Sequence, residues 1–268
     1  MVETMKLGFI GTGNMASAIM GGIIRNEVIP AEEIIGADLF APGRERVKSQ
    51  FGIHVTDSNK EVAQKAEVII LSVKPQFYAD VIEGIKDVIT DRHLIITIAP
   101  GKTLDWVEEQ FGKPVKIIRT MPNTPAMVGE GMTAVCKNKY VTEEEMEEAL
   151  KILGSFGKAE VIPERLMDAV VSVSGSSPAY VFVLIEAMAD AAVSGGMPRA
   201  QAYKFAAQAV MGSAKMVLET GKHPAELKDM VCSPAGTTIE AVRVLEEMGF
   251  RSAVIEAMKT CEEISKSL

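Results

Sequence analysis

Only three cysteines, Cys136, Cys232 and Cys261, occur in 268 residues. They are too few and too scattered for a disulfide framework, and their spacing fits no zinc site, so no metal is expected. No apolar run approaches the twenty or so residues that cross a bilayer, which argues against a membrane anchor. Basic charge is scarce too: 28 Lys and Arg stand against 36 Asp and Glu, a net charge of −8. An acidic chain of this kind is a poor partner for nucleic acid. Glu3 lies almost at the start and a strand pattern follows at once, so no signal or transit peptide is expected and cytoplasm is the default. What remains, 47% apolar and 24% charged residues, is an ordinary globular composition, long enough for two domains and a large core.

The most telling stretch lies at the front. Lys6 to Ile10 reads as a short buried strand, Gly11-Thr12-Gly13-Asn14-Met15-Ala16 as a tight turn, and Ser17 to Arg25 as the helix behind it. That is G-x-G-x-x-A between strand and helix, the fingerprint of a dinucleotide-binding βαβ unit. Gly11 permits the turn, Gly13 lets backbone approach a pyrophosphate, and Ala16 lets the helix pack on its strand. The helix start then offers free N–H groups and a positive dipole end to phosphate. Up to about residue 160, β-branched runs (34–37, 68–73, 94–98 and 115–119) alternate with helical stretches (44–51, 60–65, 77–89 and 104–111). Residues 133–135 and 160–162, with an acidic helix over 143–153 between them, are expected to close the far edge. The fold class expected is α/β: a doubly wound, mostly parallel Rossmann-type sheet over residues 1–162.

After Pro163 the pattern becomes all-α, with helices expected over 168–174, 178–194, 199–219, 227–231, 238–248 and 252–265. In the second of these, Tyr180 to Ile185 has hardly any polar face, and a helix apolar all round must be covered on all sides. Residues 163–268 are therefore expected to form a helical domain that pairs with a second copy.

Several short stretches carry chemistry. Asp38 lies where an acidic residue takes the adenine ribose hydroxyls of NAD, while Arg44 and Arg46 follow closely and suit the 2′-phosphate of NADP. The sequence leaves that choice open. Val73-Lys74-Pro75 and Met121-Pro122-Asn123-Thr124-Pro125 each end a strand, where such sheets present their ligand crevice, and the second suits a planar nicotinamide. In the helical half, Ser172 to Pro178 places four serines before the buried helix, an N-cap with spare hydroxyls. Ser233-Pro234-Ala235-Gly236-Thr237-Thr238 precedes another helix as a nest for a small anion, a carboxylate above all. His54, His93 and His223 fall in none of these motifs, and no Lys follows the serine stretch at helical spacing. An alcohol dehydrogenase generally needs a positioned acid or base, whereas a protonated imine accepts hydride with less help.

These motifs together, F-I-G-T-G-N-M-A, S-V-K-P, M-P-N-T-P, S-G-S-S-P-A-Y and L-K-D-M-V-C-S-P-A-G-T-T-I-E-A, closely resemble the pyrroline-5-carboxylate reductases over nearly the whole chain. The resemblance implies reduction of 1-pyrroline-5-carboxylate to L-proline with NADPH, or NADH, as the last step of proline biosynthesis. It implies cofactor contacts at Gly11, Gly13, Asn14, Met15 and Ala16, at Asn59, at Val73, Lys74 and Pro75 with Ala99, and at Asn123. For the substrate it implies Glu164, Ser177 and Ser233, the N–H groups of Gly236 and Thr237, and Thr238 as the catalytic hydroxyl on the ring nitrogen. It also implies a homodimer through the C-terminal helices, and often a larger ring. One position departs from the family: its loop is usually Ser-Pro-Gly-Gly-Thr-Thr, and here the first glycine is Ala235. The alternatives are a related dehydrogenase or imine reductase on another small carboxylate, or an NADP-binding protein without catalysis.

Overall fold

The computed structural model describes residues 5–267. β1 (Met5–Ile10), β2 (Ile34–Ala37), β3 (His54–Thr56), β4 (Ala66–Leu71), β5 (Leu94–Thr97), β6 (Lys116–Met121), β7 (Gly131–Lys137) and β8 (Gly157–Val161) form one sheet in the order β3-β2-β1-β4-β5-β6-β7-β8. The first six are parallel to one another; β7 runs antiparallel to β6, and β8 parallel to β7. The crossovers are α1 (Asn14–Arg25), α2 (Ala41–Phe51), α3 (Asn59–Lys65), α4 (Tyr78–Ile85) and α5 (Leu104–Phe111), with α6 (Glu143–Gly154) between β7 and β8. Alternation along the strands sends Leu7, Phe9, Val68, Ile70 and Ile96 to a core shared with α1 and α6. Ile69, Leu71, Ile95 and Ile117 face α3, α4 and α5. Burial on both faces is what makes these strands apolar throughout.

The described residues divide into two compact units: one runs through Ser176 and is joined by the segment from Cys261 onward, the other is Ser177–Thr260. The first unit ends in a 3-10 turn (Glu164–Leu166), the single turn α7 (Met167–Val170) and a π-helical turn (Val171–Gly175). Its returning segment is fastened by Ser265 Oγ, which donates to Asp168 Oδ1 at 2.8 Å. The second unit is built from α8 (Ser177–Ser194), α9 (Arg199–Thr220), α10 (Pro224–Val231), α11 (Thr237–Glu247) and most of α12 (Phe250–Lys266).

Three expectations change. α1 begins at Asn14 rather than Ser17, so the last half of the glycine motif is already helix. β4 ends at Leu71, where Ser72 donates its hydroxyl to Gly11 O at 2.7 Å, and Val73-Lys74 is loop before a 3-10 turn that starts at Pro75. The span Glu164–Ser194 is helical over 31 residues with mean hydropathy 1.4 in its most apolar stretch, long and apolar enough by length and composition to cross a membrane. In sequence its charges, among them Asp168, Glu186 and Asp190, break the run and hide that length.

Candidate active site

The nucleotide-binding residues gather where the parallel strands end. Ile10 is level with Ala37 and Leu71, and Leu71 with Thr97, so the loops at Gly11, Asp38, Ser72 and Ile98 leave the sheet side by side. Gly11 has φ +98°, and a Cβ there would stand 2.7 Å from Ser72 O, so both conformation and packing require glycine. Gly13 differs: its φ is ordinary, and a Cβ would meet nothing within 4 Å. The protein's own packing does not demand glycine there, whereas a pyrophosphate lying over the loop would. Gly13 is the N-cap of α1, and no side chain caps that helix. The first N–H groups of a helix have no carbonyl of their own helix to bond, so Asn14, Met15 and Ala16 present the donors an anion needs. A dinucleotide therefore fits this edge.

Neighbouring positions support it. The buried Tyr78 hydroxyl donates to Leu71 O at 2.5 Å and accepts from Ile98 N at 3.2 Å, joining the ends of β4 and β5 beneath Val73, Lys74 and Ala99. Burial raises the Tyr78 pKa well above the usual phenol value, so the bridge stays protonated. Pro75 opens a 3-10 turn with Lys74 exposed before it, and Asn59 opens α3 behind its cap Ser58. Asp38 is turned inward: Oδ2 accepts from Thr12 N and Thr12 Oγ1 at 2.8 and 3.0 Å, and Oδ1 from Phe40 N at 2.9 Å.

Asn123 follows β6 at the same end of the sheet, yet it is only 8% exposed and its amide is engaged on both sides. Oδ1 accepts from Met132 N at 2.8 Å and Nδ2 donates to Ser174 O at 3.0 Å. The side chain expected to hold a nicotinamide thus acts as a clamp between its own turn and the π-helical turn. The serines ahead of α8 are corrected likewise: Ser172 Oγ donates to Ala169 O and Ser174 Oγ to Val170 O, so those hydroxyls are not spare. Glu164 accepts from Leu104 N and from Arg119 Nη1, both at 2.8 Å. Arg119 is a buried cation that sequence reading missed; an arginine ending a run of apolar strand residues was its signal. Beside the pair, burial pushes the Cys136 thiol up to about 12 and keeps it unreactive.

In the second unit, Ser233 to Gly236 make a tight turn into α11. Ala235 sits at φ +58° and Gly236 caps the helix. Gly236 N donates to Ser233 O at 3.0 Å, which corrects its expected role as an anion donor: that N–H is already used in the turn. A Cβ on Gly236 would collide with Ser233 Oγ, so the glycine keeps this serine in place. The free donors are those of Thr237 and Thr238 in the first turn of α11, where no side chain caps the helix. Ser177 opens α8, half-buried.

A family model described as pyrroline-5-carboxylate reductase dimerisation matches residues 164–268, and one described as NADP oxidoreductase, coenzyme F420-dependent, matches residues 6–101. The pyrroline-5-carboxylate reductase of Escherichia coli K12 is 57% identical over 267 residues, 98% of this chain and 98% of that protein. That of Methanosarcina acetivorans is 43% identical, covering 100% and 99%. The chain belongs to the pyrroline-5-carboxylate reductase family. A crystal structure of the Plasmodium falciparum pyrroline carboxylate reductase with NADP bound aligns over 100% of this chain and 99% of its own at 33% identity, TM-score 0.90.

Family membership makes the chain an NAD(P)-dependent oxidoreductase with an NADP-binding domain and a dimerisation domain. Two of the histidines have structural roles, and the third, His54, is an exposed residue of β3. His93 is buried, with Nδ1 accepting from Thr90 N at 2.9 Å and Nε2 facing Ala63 O at 2.9 Å, and His223 caps α10.

Proposed function

We propose that the chain reduces 1-pyrroline-5-carboxylate to L-proline. The whole-length likeness to the E. coli reductase carries the reading, and the uncapped helix starts of α1 and α11 support it, one suited to a diphosphate and the other to a carboxylate. NADPH, when bound, supplies hydride from C4 of its nicotinamide. Gly11, Gly13 and the N–H groups of Asn14, Met15 and Ala16 hold its pyrophosphate; Asn59, Val73, Lys74, Pro75 and Ala99 line it. Ser233 and the Thr237 N–H hold the substrate carboxylate, with Gly236 shaping the turn, while Ser177 and Glu164 border the ring. The Thr238 hydroxyl bonds the ring nitrogen and stabilises the developing amine as hydride reaches the imine carbon. The functional division lies at 162/163, where the helical pattern begins, and a second copy of this chain covers the apolar helices, with a larger ring built from such dimers. An acidic chain of this composition suits the cytoplasm, and cell fractionation tests that placement.

Loss of reduced-nicotinamide absorbance with pyrroline-5-carboxylate tests the activity. Thr238→Ala should lower kcat about a hundred-fold, with NADP⁺ binding unchanged. Turnover equal to wild type would remove Thr238 from the mechanism, and no turnover by folded, nucleotide-binding wild-type protein would refute the reaction.

A further inference from the structure

A phenol hydroxyl stands inside the ladder between β4 and β5. Ser72 N donates to Ile10 O at 2.8 Å, and peptide groups alternate in direction along a strand, so Leu71 O points the other way, toward β5. Leu71 is level with Thr97, and the next rung of a parallel pair in this register would run from Ile98 N to Leu71 O. That rung is made through Tyr78 instead: its hydroxyl accepts from Ile98 N at 3.2 Å and donates to Leu71 O at 2.5 Å. An amide and a carbonyl bonded directly stand about 2.9 Å apart. With an oxygen seated between them the two strand ends are parted. The wedge is fixed from below, because Pro75 opens the turn that brings the chain back, and Tyr78, Ile82 and Ile85 form the buried face of α4. A phenylalanine would fill the same space without the cost of burying a hydroxyl, and would let the ladder close by one more rung.

The parting lies under one half of a dinucleotide. With the pyrophosphate over the start of α1 and the adenine ribose over the end of β2, the nicotinamide half falls on the other side of β1, over the ends of β4 and β5. We propose that Tyr78 is a positioning residue for hydride transfer: its hydroxyl keeps the backbones at 72–74 and 98–99 apart, so that the nicotinamide ring seats over them at a fixed depth. The inference rests on the reading of this sheet edge as the dinucleotide site. Tyr78 is wholly buried, so it reaches neither cofactor nor substrate and acts through the two backbones it separates.

Tyr78→Phe removes the oxygen and keeps the ring. The full-length variant is titrated calorimetrically with NADPH and with 2′,5′-ADP, which lacks the nicotinamide half, and assayed for turnover of pyrroline-5-carboxylate. NADPH should bind about five-fold more weakly while 2′,5′-ADP stays within about two-fold of wild type. The kcat should fall about ten-fold with KM for pyrroline-5-carboxylate unchanged, because a small displacement of a reacting ring is costly. Equal weakening of NADPH and 2′,5′-ADP would mean that the hydroxyl only braces the sheet, and would overturn the proposal. So would wild-type binding and turnover, or a variant that no longer folds by circular dichroism. Folded wild type that binds neither ligand would sink the dinucleotide reading along with the proposal. Wild type that binds both without turnover would sink only the reaction, and the split between NADPH and 2′,5′-ADP would then decide the role of Tyr78 by itself.

Discussion

At Ala235 the backbone adopts φ +58°, a conformation glycine enters freely and alanine enters at a cost of about 1 kcal/mol. The family resemblance implies glycine at this place, so the chain accepts strain two residues before the free N–H of Thr237. A strained turn holds those donors less faithfully, and the effect falls on ground-state binding rather than on hydride transfer. Ala235→Gly should lower KM for pyrroline-5-carboxylate with kcat unchanged, and steady-state kinetics with an unaltered KM would contradict it. His93 yields a second residue-level effect. Burial lowers its pKa, with Arg92 and Lys113 adding to the shift, so the fold holds it neutral. A histidine depressed in the native state binds fewer protons there than in the unfolded chain, so its contribution to stability is complete above the ordinary value of about 6.5 and is lost as pH falls below it. Thermal unfolding between neutral and mildly acid pH should show a smaller acid loss for His93→Gln than for wild type. Parallel curves would show that His93 does not govern this slope.

At the scale of elements, Arg119 at the end of β6 is tied to Glu164 in the turn that leaves the sheet, and Glu164 also receives Leu104 N at the start of α5. The two partners are unequal. The Arg119 side chain is 6% exposed and that of Glu164 31%, so an abandoned arginine stays buried while an abandoned glutamate meets water and keeps its amide donor. Glu164→Leu should therefore cost roughly 2–3 kcal/mol and Arg119→Met roughly 1 kcal/mol, the double variant costing less than their sum. Chemical denaturation of the three variants would measure this, and equal single costs would refute it. The same elements mark how far sequence could be read. Long apolar strands such as 94–97 declare themselves because burial on both faces leaves no polar position. β3 was missed because it is three residues at the sheet edge with no fully buried side chain. The π-helical turn was read as capping serines, since nothing in Ser172 to Gly175 reveals that Asn123 holds Ser174 O from fifty-one residues away. Asp38 was found but its direction was not, because orientation depends on Thr12 and Phe40, which sit on different loops.

For the whole molecule the largest unmet demand is apolar surface. Within the single chain Ala189 is the one buried residue of α8, and Phe182 and Val183 are 64% and 65% exposed; on α9, Phe205 is 67% exposed. Covering a side chain of this size contributes about 1.5–3 kcal/mol, and a patch of several on two long helices is what an obligate interface requires. A dimerisation family model matches these helices, and the same face on a second copy is the cover we propose. Sedimentation velocity at micromolar concentration should therefore find a dimer or a multiple of it. Phe182→Glu and Phe205→Glu should each shift the protein toward monomer and make its Tm fall on dilution, because stability and association are then one equilibrium. A wild-type monomer with a Tm independent of concentration would refute the dimer, and would leave the apolar stretch of the 31-residue helical span Glu164–Ser194 in need of a different cover.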